Sequence, residues 1–423
     1  MTNYVFLQRS FDYLFFKIIY YGSTFSNNSV ATNVNCGDGG ALYVQSNNLA
    51  VSIIKSNFTF NSAARYGGSF YFDSFNKNIT MFGVDVVYSS AISRGGGGYV
   101  NTFNDYAHLT DITLRFCNVI TSTSLDSVSV GAGIYFNKGN KHVTVSHLLC
   151  ERNTAYMDGG CIYLSSENNH FLLQNSVISR QTSINGKAAG IFLGSNNLYC
   201  QIVRVEFKDN YSKKNGAGFY VTSGNNFFSV QHSNFTNNKS GRITGAAYFS
   251  NNNNYTSMMN CGFKNNSAVL FGVAIFYDGG TVANYNIKLI NLYFDLNRLT
   301  GDGVQAGNGA AITFLNNNIN ITLIDSEIVN SFSPFSGGAM YIGTGLKNLN
   351  MTNCLFQNNS SPQNGGAISV QSGNANIAIY GTVFDRNKAN FNGGAVYLFQ
   401  DNKNIIFANS VYKNNFAGID GGY

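Results

Sequence analysis

One five-residue word recurs through the chain, and a repeat of fixed spacing constrains a fold more than any other sequence feature. The word reads Gly-Gly/Ala-small-aliphatic-aromatic, as in Gly39-Gly40-Ala41-Leu42-Tyr43. Most copies follow the previous one after a nearly constant interval. The copies begin at Gly39, Gly67, Gly96, Gly131, Gly159, Ala188, Gly216, Gly245, Gly272, Gly309, Gly337, Gly365, Gly393 and Gly421. So dense a repeat predicts a solenoid in which each copy belongs to one coil.

The last coils show how one repeat folds. An Asn column recurs once per repeat at Asn320, Asn348, Asn376 and Asn404. Alternating apolar residues such as Leu349 and Met351 follow it, and period two indicates a strand. The next strand begins with a small-x-large pair, which is Cys354 and Phe356 in one coil. The Gly word forms a third strand of the coil. The pattern predicts an all-β fold, a right-handed single-stranded parallel β-helix of about fourteen coils of ~28 residues.

Two further columns predict turns and core. The Phe-x-x-Asn element, as in Phe235 and Asn238, recurs near the repeat period. We expect the Phe to fill the core and the Asn to form the next turn, because Asn tolerates left-handed backbone and bonds its own chain. Asn residues stacked in neighbouring coils can bond amide to amide, so these columns predict ladders along the stacking axis without any ligand.

The fifth place of the Gly word is aromatic in most coils. Strand alternation points the fourth and sixth places inward and this place outward. We therefore expect an exposed ladder of rings as the candidate binding site, for a glycan or a protein. The alternative is that ring stacking stabilises the sheet, or that the rings lie under a loop. The ladder consists of Tyr43, Tyr71, Tyr135, Tyr163, Phe192, Tyr220, Phe249, Phe276, Tyr341 and Tyr397.

Charge is sparse and evenly spread. Charged residues make up 11% of the chain, and the formal net charge is +6 over 423 residues without basic runs. We therefore expect no nucleic-acid partner. Gly is abundant at 45 residues and Pro appears 2 times, a composition of strands and turns rather than of surface helices. No apolar stretch is long enough to span a bilayer.

Neither the cysteines nor the histidines predict a metal or cofactor site. The 7 cysteines form no CxxC pair and are odd in number. Several of them stand at repeat positions where other coils carry Ser, Thr, Phe or Ala, so we interpret them as small buried fillers that leave the redox compartment open. His142 and His170 are one repeat apart and should stack in neighbouring coils. That column carries Asn elsewhere, which favours imidazoles that fill a turn over metal ligands. We predict no metal and no cofactor.

The words Gly365-Gly366-Ala367-Ile368 and Phe384-Asp385-Arg386-Asn387 resemble the repeats of chlamydial polymorphic outer membrane proteins (Pmp) and of Pmp-like protozoan surface proteins. The resemblance implies a right-handed β-helix displayed on a cell surface, usually in adhesion. An alternative on the same pectin-lyase-like fold is a carbohydrate-active enzyme, a polysaccharide lyase or glycoside hydrolase. Such enzymes need clustered carboxylates, and the 20 acidic residues here are spread thinly.

The pattern and the resemblance together predict a non-catalytic adhesin or structural display stalk, at the cell surface or extracellular. We expect residues 1–423 to form a single β-helix with inserted loops near 121–130 and 298–308, where binding residues often lie. Tyr423 falls inside a Gly-Gly word, so we expect a piece of a longer surface protein that meets a membrane only through another region; the alternative is that the ends pair with other copies of the chain. The expected partner is a protein or glycan of a host or neighbouring cell.

Overall fold

A computed structural model describes residues 17–30, 37–119, 129–301 and 307–421. The chain divides into two compact units, Met1–Glu206 (unit 1) and Phe207–Tyr423 (unit 2), and each is described by itself. All regular elements among the described residues are strands. The described part of the chain therefore contains no helix that could span a membrane. Paired strands run parallel. The prediction of an all-β, parallel solenoid is confirmed, while its right-handedness stays a prediction.

In unit 1 each coil contributes to three parallel sheets. The Gly word forms the first, called the Gly-word sheet: Leu42–Val44, Phe70–Phe72, Gly98–Val100, Ile134–Phe136, Ile162–Leu164 and Ile191–Leu193. The long sheet contains Lys17–Tyr21, Thr24–Ser26, Ala50–Ile54, Asn57–Thr59, Lys77–Val87, Asp105–Arg115, Thr144–Ser146, Leu149–Glu151, Leu172–Ser179 and Gln201–Lys208, the last of which crosses the unit boundary. The short sheet contains Ser62–Ala63, Ser90–Ala91, Asn118–Val119, Thr154–Ala155 and Thr182–Ser183.

Unit 2 repeats this arrangement. Its Gly-word sheet contains Phe219–Val221, Ala247–Phe249, Ile275–Tyr277, Ile312–Asn316, Met340–Thr344, Ile368–Val370 and Val396–Leu398. Its long sheet contains Ser229–Gln231, Asn234–Thr236, Ser257–Met259, Gly262–Lys264, Asn284–Ile290, Tyr293–Asp295, Asn318–Ile324, Glu327–Val329, Lys347–Thr352, Leu355–Gln357, Ala375–Tyr380, Val383–Asp385, Lys403–Ala408 and Val411–Lys413. Its short strands are Tyr211–Ser212, Lys239–Ser240, Ser267–Ala268, Arg298–Leu299, Ser360–Ser361, Lys388–Ala389 and Phe416–Ala417.

The predicted columns become ladders of identical contacts. In unit 2, Asn359 Nδ2 donates to Asn387 Oδ1 at 3.0 Å, and Asn387 Nδ2 donates to Asn415 Oδ1 at 3.0 Å. These amides are buried, as are Phe235 and Asn238 of a Phe-x-x-Asn element. Because each amide also bonds backbone, buried turns keep their polar groups satisfied. The predicted roles of the Phe and Asn columns are confirmed here.

The register corrects two starts of the Gly word. Tyr99 pairs with Tyr71, so the word near Gly96 begins at Gly95. Because the residues Gly95–Gly98 have no side chains, nothing in the sequence marks where the word begins. The sequence therefore led us to place its start one residue too late. In unit 2 Tyr248 pairs with Tyr220, so that word begins at Thr244, which takes the left-handed φ of 60° that Gly holds in other copies. A one-residue slip exchanges the two faces of a strand.

The two predicted loop insertions lie partly outside the described residues. Residues 120–128 and 302–306 are not described, so both loop predictions stay predictions. Val130, at the end of the first insertion, forms a parallel bridge with Arg94 of the preceding coil. The Gly word at Gly421 runs into residues 422–423, which also lie outside the described part. The single-domain prediction remains untested.

Candidate functional site

The fifth-place aromatic residues of unit 1 form one continuous stack. Ring centroids are 5.0 Å apart for Tyr43 and Tyr71, 4.8 Å for Tyr135 and Tyr163, and 4.5 Å for Tyr163 and Phe192. Tyr99, which the sequence pattern missed, lies 5.1 Å from Tyr71 and 5.0 Å from Tyr135. Parallel pairing in register brings each ring over the next. The predicted stacking of these residues is therefore present.

The expectation that this ladder is exposed is wrong for most of its length. Tyr99 is 2% exposed and Tyr135 is 4% exposed, and burial raises the pKa of both hydroxyls. Tyr66, Val130 and Met157, from the turns before the Gly word, pack over the rings. Strand alternation points these rings away from the core, but a second layer covers them. In unit 1 only Tyr43 of the described ladder is largely exposed.

In unit 2 the ladder is shorter and one predicted member is misplaced. Tyr220 stacks on Tyr248 at 4.4 Å, and Tyr248 stacks on Phe276 at 5.0 Å. Phe249 is not a member: it is the inward sixth place, fully buried and stacked on Tyr277. Tyr220 and Phe276 are buried, while Tyr341 and Tyr397 are half-buried and stand in separate coils.

The cysteines include a pair that the sequence did not predict. Cys150 and Cys161 form a disulfide, so the interpretation of all cysteines as fillers is wrong for these two. Cys150 occupies the inward column in register with Ile178, and Cys161 is the third residue of a Gly word, so the two face each other across a coil. Disulfides persist in oxidising compartments.

The other described cysteines are buried free thiols, as predicted: Cys117, Cys200, Cys261 and Cys354. Burial raises the pKa of Cys117 to about 12 and that of Cys354 to about 11. Protonated and enclosed thiols are poor nucleophiles, so these residues act as packing. Cys36 lies outside the described residues.

Exposed rings lie instead at the turns of unit 1. One set, which we call the first outer column, contains Phe60, Tyr88, Phe116, Arg152 and Arg180. Every member has a positive φ between 53° and 56°. Phe60 is 56% exposed and Tyr88 is 48% exposed, and their rings stack at 4.9 Å. Phe116 continues the stack at 4.7 Å, and the Arg152 guanidinium lies 5.6 Å from its centroid.

The second outer column of unit 1 contains Tyr106, His142, His170 and Tyr199, again with positive φ. Adjacent rings stack at 4.8 to 5.0 Å, which confirms the predicted stack of His142 on His170. His142 Nδ1 lies 3.0 Å from Asp105 Oδ1. Among the described residues no group of three or more His, Cys, Asp or Glu side chains is arranged to hold a metal ion.

A sequence signal for the first outer column exists. Phe60, Tyr88 and Phe116 follow one another at the repeat period, and each comes directly before a residue of the buried turn column: Asn61, Ser89 and Cys117. The signal is missed when only the Gly word is followed, because these residues lie in a turn between strands. Their exposure depends on the left-handed backbone at each turn, which alternation does not predict.

The comparisons with known proteins agree with the repeat pattern. The model of the Chlamydia polymorphic membrane protein repeat matches residues 22–45 and 353–371, one segment in each unit. The predicted resemblance to Pmp repeats is therefore confirmed. No curated protein and no solved structure matches the chain significantly. The repeat and the β-solenoid fold fit a surface-displayed protein.

Proposed function

We propose that the chain is an extracellular adhesin or display stalk without catalytic activity, and that the outer ring columns of unit 1 are its contact surface. The observation that carries the proposal is that Phe60 and Tyr88 are exposed at turns with left-handed backbone, with the half-buried Phe116 continuing their stack. The partner is a protein or glycan of a host or neighbouring cell.

The stability of the fold does not explain why aromatic residues stand at these turns of unit 1. Left-handed backbone costs a residue with a side chain roughly 1–2 kcal/mol, and Asn tolerates it best after Gly. Ring stacking returns about 0.5–1.5 kcal/mol, which roughly offsets that cost. At the same place in the repeat most coils of unit 2 carry an amide, and the others carry Asp209, Leu296 and Arg386. The amides are Asn237, Asn265, Asn330, Asn358 and Asn414. Exposed apolar patches on a folded surface mark interaction sites, so we assign the rings to binding.

Two other features support extracellular display. The Cys150–Cys161 disulfide suits an oxidising environment. Amide ladders and parallel hydrogen bonds tie each coil to the next within a unit, which suits a stiff support. The buried tyrosine stack, Tyr71 to Tyr163, is in this proposal a structural element and not the contact surface.

The test is adhesion of beads coated with the full chain to cultured animal cells, together with binding to a glycan array. The variant Phe60→Asn/Tyr88→Asn/Phe116→Asn installs the residue that most coils of unit 2 carry at that turn, so the fold should survive. We expect it to lose most adhesion. The control Asn237→Gly/Asn265→Gly/Asn358→Gly changes the same column of unit 2 without straining its left-handed backbone, and it should adhere normally. Full adhesion by the folded ring variant would contradict the assignment.

A further inference from the structure

Three arginines of unit 1 converge on a single carboxylate beside the first outer column. Glu151 Oε1 accepts a hydrogen bond from Arg180 Nη1 at 2.8 Å, and Glu151 Oε2 lies 3.2 Å from Arg115 Nε. Arg152 Nε is 3.9 Å from Oε1. In the described part of the chain these arginines form ion pairs with Glu151 and with no other carboxylate. Three positive charges thus surround one negative charge.

One carboxylate cannot accept hydrogen bonds from all the N–H groups of three guanidinium groups. A guanidinium carries five N–H groups, and a carboxylate offers about four acceptor positions. The side chains of Arg115, Arg152 and Arg180 are 41%, 51% and 51% exposed, whereas that of Glu151 is 19% exposed. Arg115 Nε is buried, but each of the three side chains keeps part of its surface open to water, where a second anion can reach guanidinium N–H groups.

The arginines lie in successive coils. Arg115 pairs in register with Glu151, and Glu151 pairs with Ser179, the neighbour of Arg180. The cations are therefore spaced along the stacking axis where the strands of the long sheet end and the turns of the first outer column begin. That arrangement fits a linear polymer with repeated anionic groups better than a small ligand held in a pocket.

The neighbouring rings distinguish between anionic polymers. Phe116 has one face against Tyr88 at 4.7 Å and the Arg152 guanidinium 5.6 Å from its centroid. Single-stranded nucleic acids bind by stacking bases on open aromatic faces, and these faces are covered. Ring edges and tips remain exposed, and they can lie against the apolar part of a sugar.

We propose that Arg115, Arg152 and Arg180 form a binding site for the sulfate or carboxylate groups of an acidic glycan that runs along the stacking axis. The inference rests on the proposed function and names the partner class for that surface. Glu151 holds the guanidinium groups in place and is the anion with which the glycan competes.

The test measures binding of size-defined heparin fragments to the full chain by titration calorimetry. Neutral dextran should not bind, and added salt should weaken heparin binding. Arg152→Gln/Arg180→Gln should weaken it at least about tenfold, which corresponds to about 1.4 kcal/mol. Arg152→Lys/Arg180→Lys keeps the charge but loses the planar fork and should give an intermediate loss. Glu151→Gln removes the competing anion and should tighten binding.

The matched control is Arg386→Gln. Arg386 occupies the same column in unit 2 with φ 53°, and among the described residues its ion pair is with Asp385 at 3.0 Å. It should bind heparin like the unaltered chain. Unchanged affinity in the folded Arg152→Gln/Arg180→Gln variant, or an equal loss in Arg386→Gln, overturns the inference. Tighter binding of oligothymidylate than of heparin overturns the choice of a glycan. If cell adhesion depends on the rings while heparin does not bind, this inference fails and the proposed function stands.

Discussion

The outer columns of units 1 and 2 use the same backbone for different surfaces. In unit 1 the turns carry stacked rings such as Phe60 and Tyr88. In unit 2 the second outer column keeps one ring pair, Phe227 on Tyr255, and then carries only amides. Those amides form a chain of Nδ2 to Oδ1 hydrogen bonds of 2.9 to 3.2 Å through Asn286, Asn320, Asn348, Asn376 and Asn404.

The difference shows that the turn does not dictate its side chain. Positive φ recurs at these turns in both units, and only the amide is the low-strain choice. An exposed amide ladder satisfies its own polar groups and leaves little to bind, whereas stacked rings leave apolar edges in water. A solenoid can thus vary one outer column without altering its core.

The largest expected effect separates the buried stack from the exposed rings of unit 1. Tyr135→Ser removes a ring packed between Tyr99 and Tyr163 and should lower the free energy of unfolding by about 3–5 kcal/mol. Tyr88→Asn, at an exposed turn, should change it by less than about 1 kcal/mol. Urea unfolding followed by circular dichroism measures both. Equal losses would mean that the outer rings are structural.

The next effect separates buried from exposed amides in unit 2. Asn359 accepts from the Ser331 backbone N–H at 2.9 Å and donates to the Ile328 carbonyl at 2.8 Å. Asn359→Ala leaves buried groups without partners and should cost about 2–4 kcal/mol. Asn348→Gly at the exposed ladder should cost less than about 1 kcal/mol, because Gly accepts the left-handed φ of 60° and water replaces the amide. Comparable midpoints in urea would contradict this distinction.

A reducing agent should affect the two units differently. Breaking the Cys150–Cys161 disulfide should destabilise unit 1 by about 2–3 kcal/mol, since the bond constrains the unfolded chain. The described cysteines of unit 2, Cys261 and Cys354, are free thiols. Hydrogen exchange with peptide resolution should therefore report faster exchange in unit 1 alone. In Cys150→Ala/Cys161→Ala the reductant should have no further effect, and faster exchange in unit 2 would count against the prediction.

The smallest effect is an acid sensitivity that both units share. Hydrogen bonds from Gln357 and Asn414 lower the pKa of Asp385 in unit 2. In unit 1, burial acts to raise the pKa of Asp73, but hydrogen bonds from Asn101 and Ser46 outweigh it and lower the pKa.

A carboxyl with a lowered folded-state pKa stabilises the fold above its ordinary value of 3.8, and this contribution is lost as the pH falls through the folded-state pKa. Stability should thus fall below about pH 4. Asp385→Asn and Asp73→Asn should each flatten the profile measured by urea unfolding at stepped pH. Unaltered profiles would contradict the assignment.

Much of the fold could be predicted because the coils stack, so that residues separated by one repeat in the sequence contact each other in the structure. Residues one period apart become neighbours, so the ladder of Asn348 and Asn376 and the stack of His142 on His170 follow from spacing. The repeat spacing gave the wrong start of the Gly word in two coils. In one, the residues Gly95–Gly98 have no side chains that mark the register, and in the other Thr244 replaces a glycine. At both places the strand face was misassigned by one residue.

The sequence by itself determined the coil, its columns and the residues that meet from coil to coil, because a fixed period leaves one parallel register that keeps the apolar columns together. Only the tertiary structure decided which outward column meets water. Alternation tells which side of a strand a residue takes, but not that Tyr66, Val130 and Met157 cover that side. The tertiary structure also paired Cys150 with Cys161. These two residues lie in different columns, which meet when the coil closes, and the repeat spacing does not predict such a contact. In unit 1 the exposed rings therefore lie at the turns, whereas most of the tyrosine ladder lies beneath a covering layer.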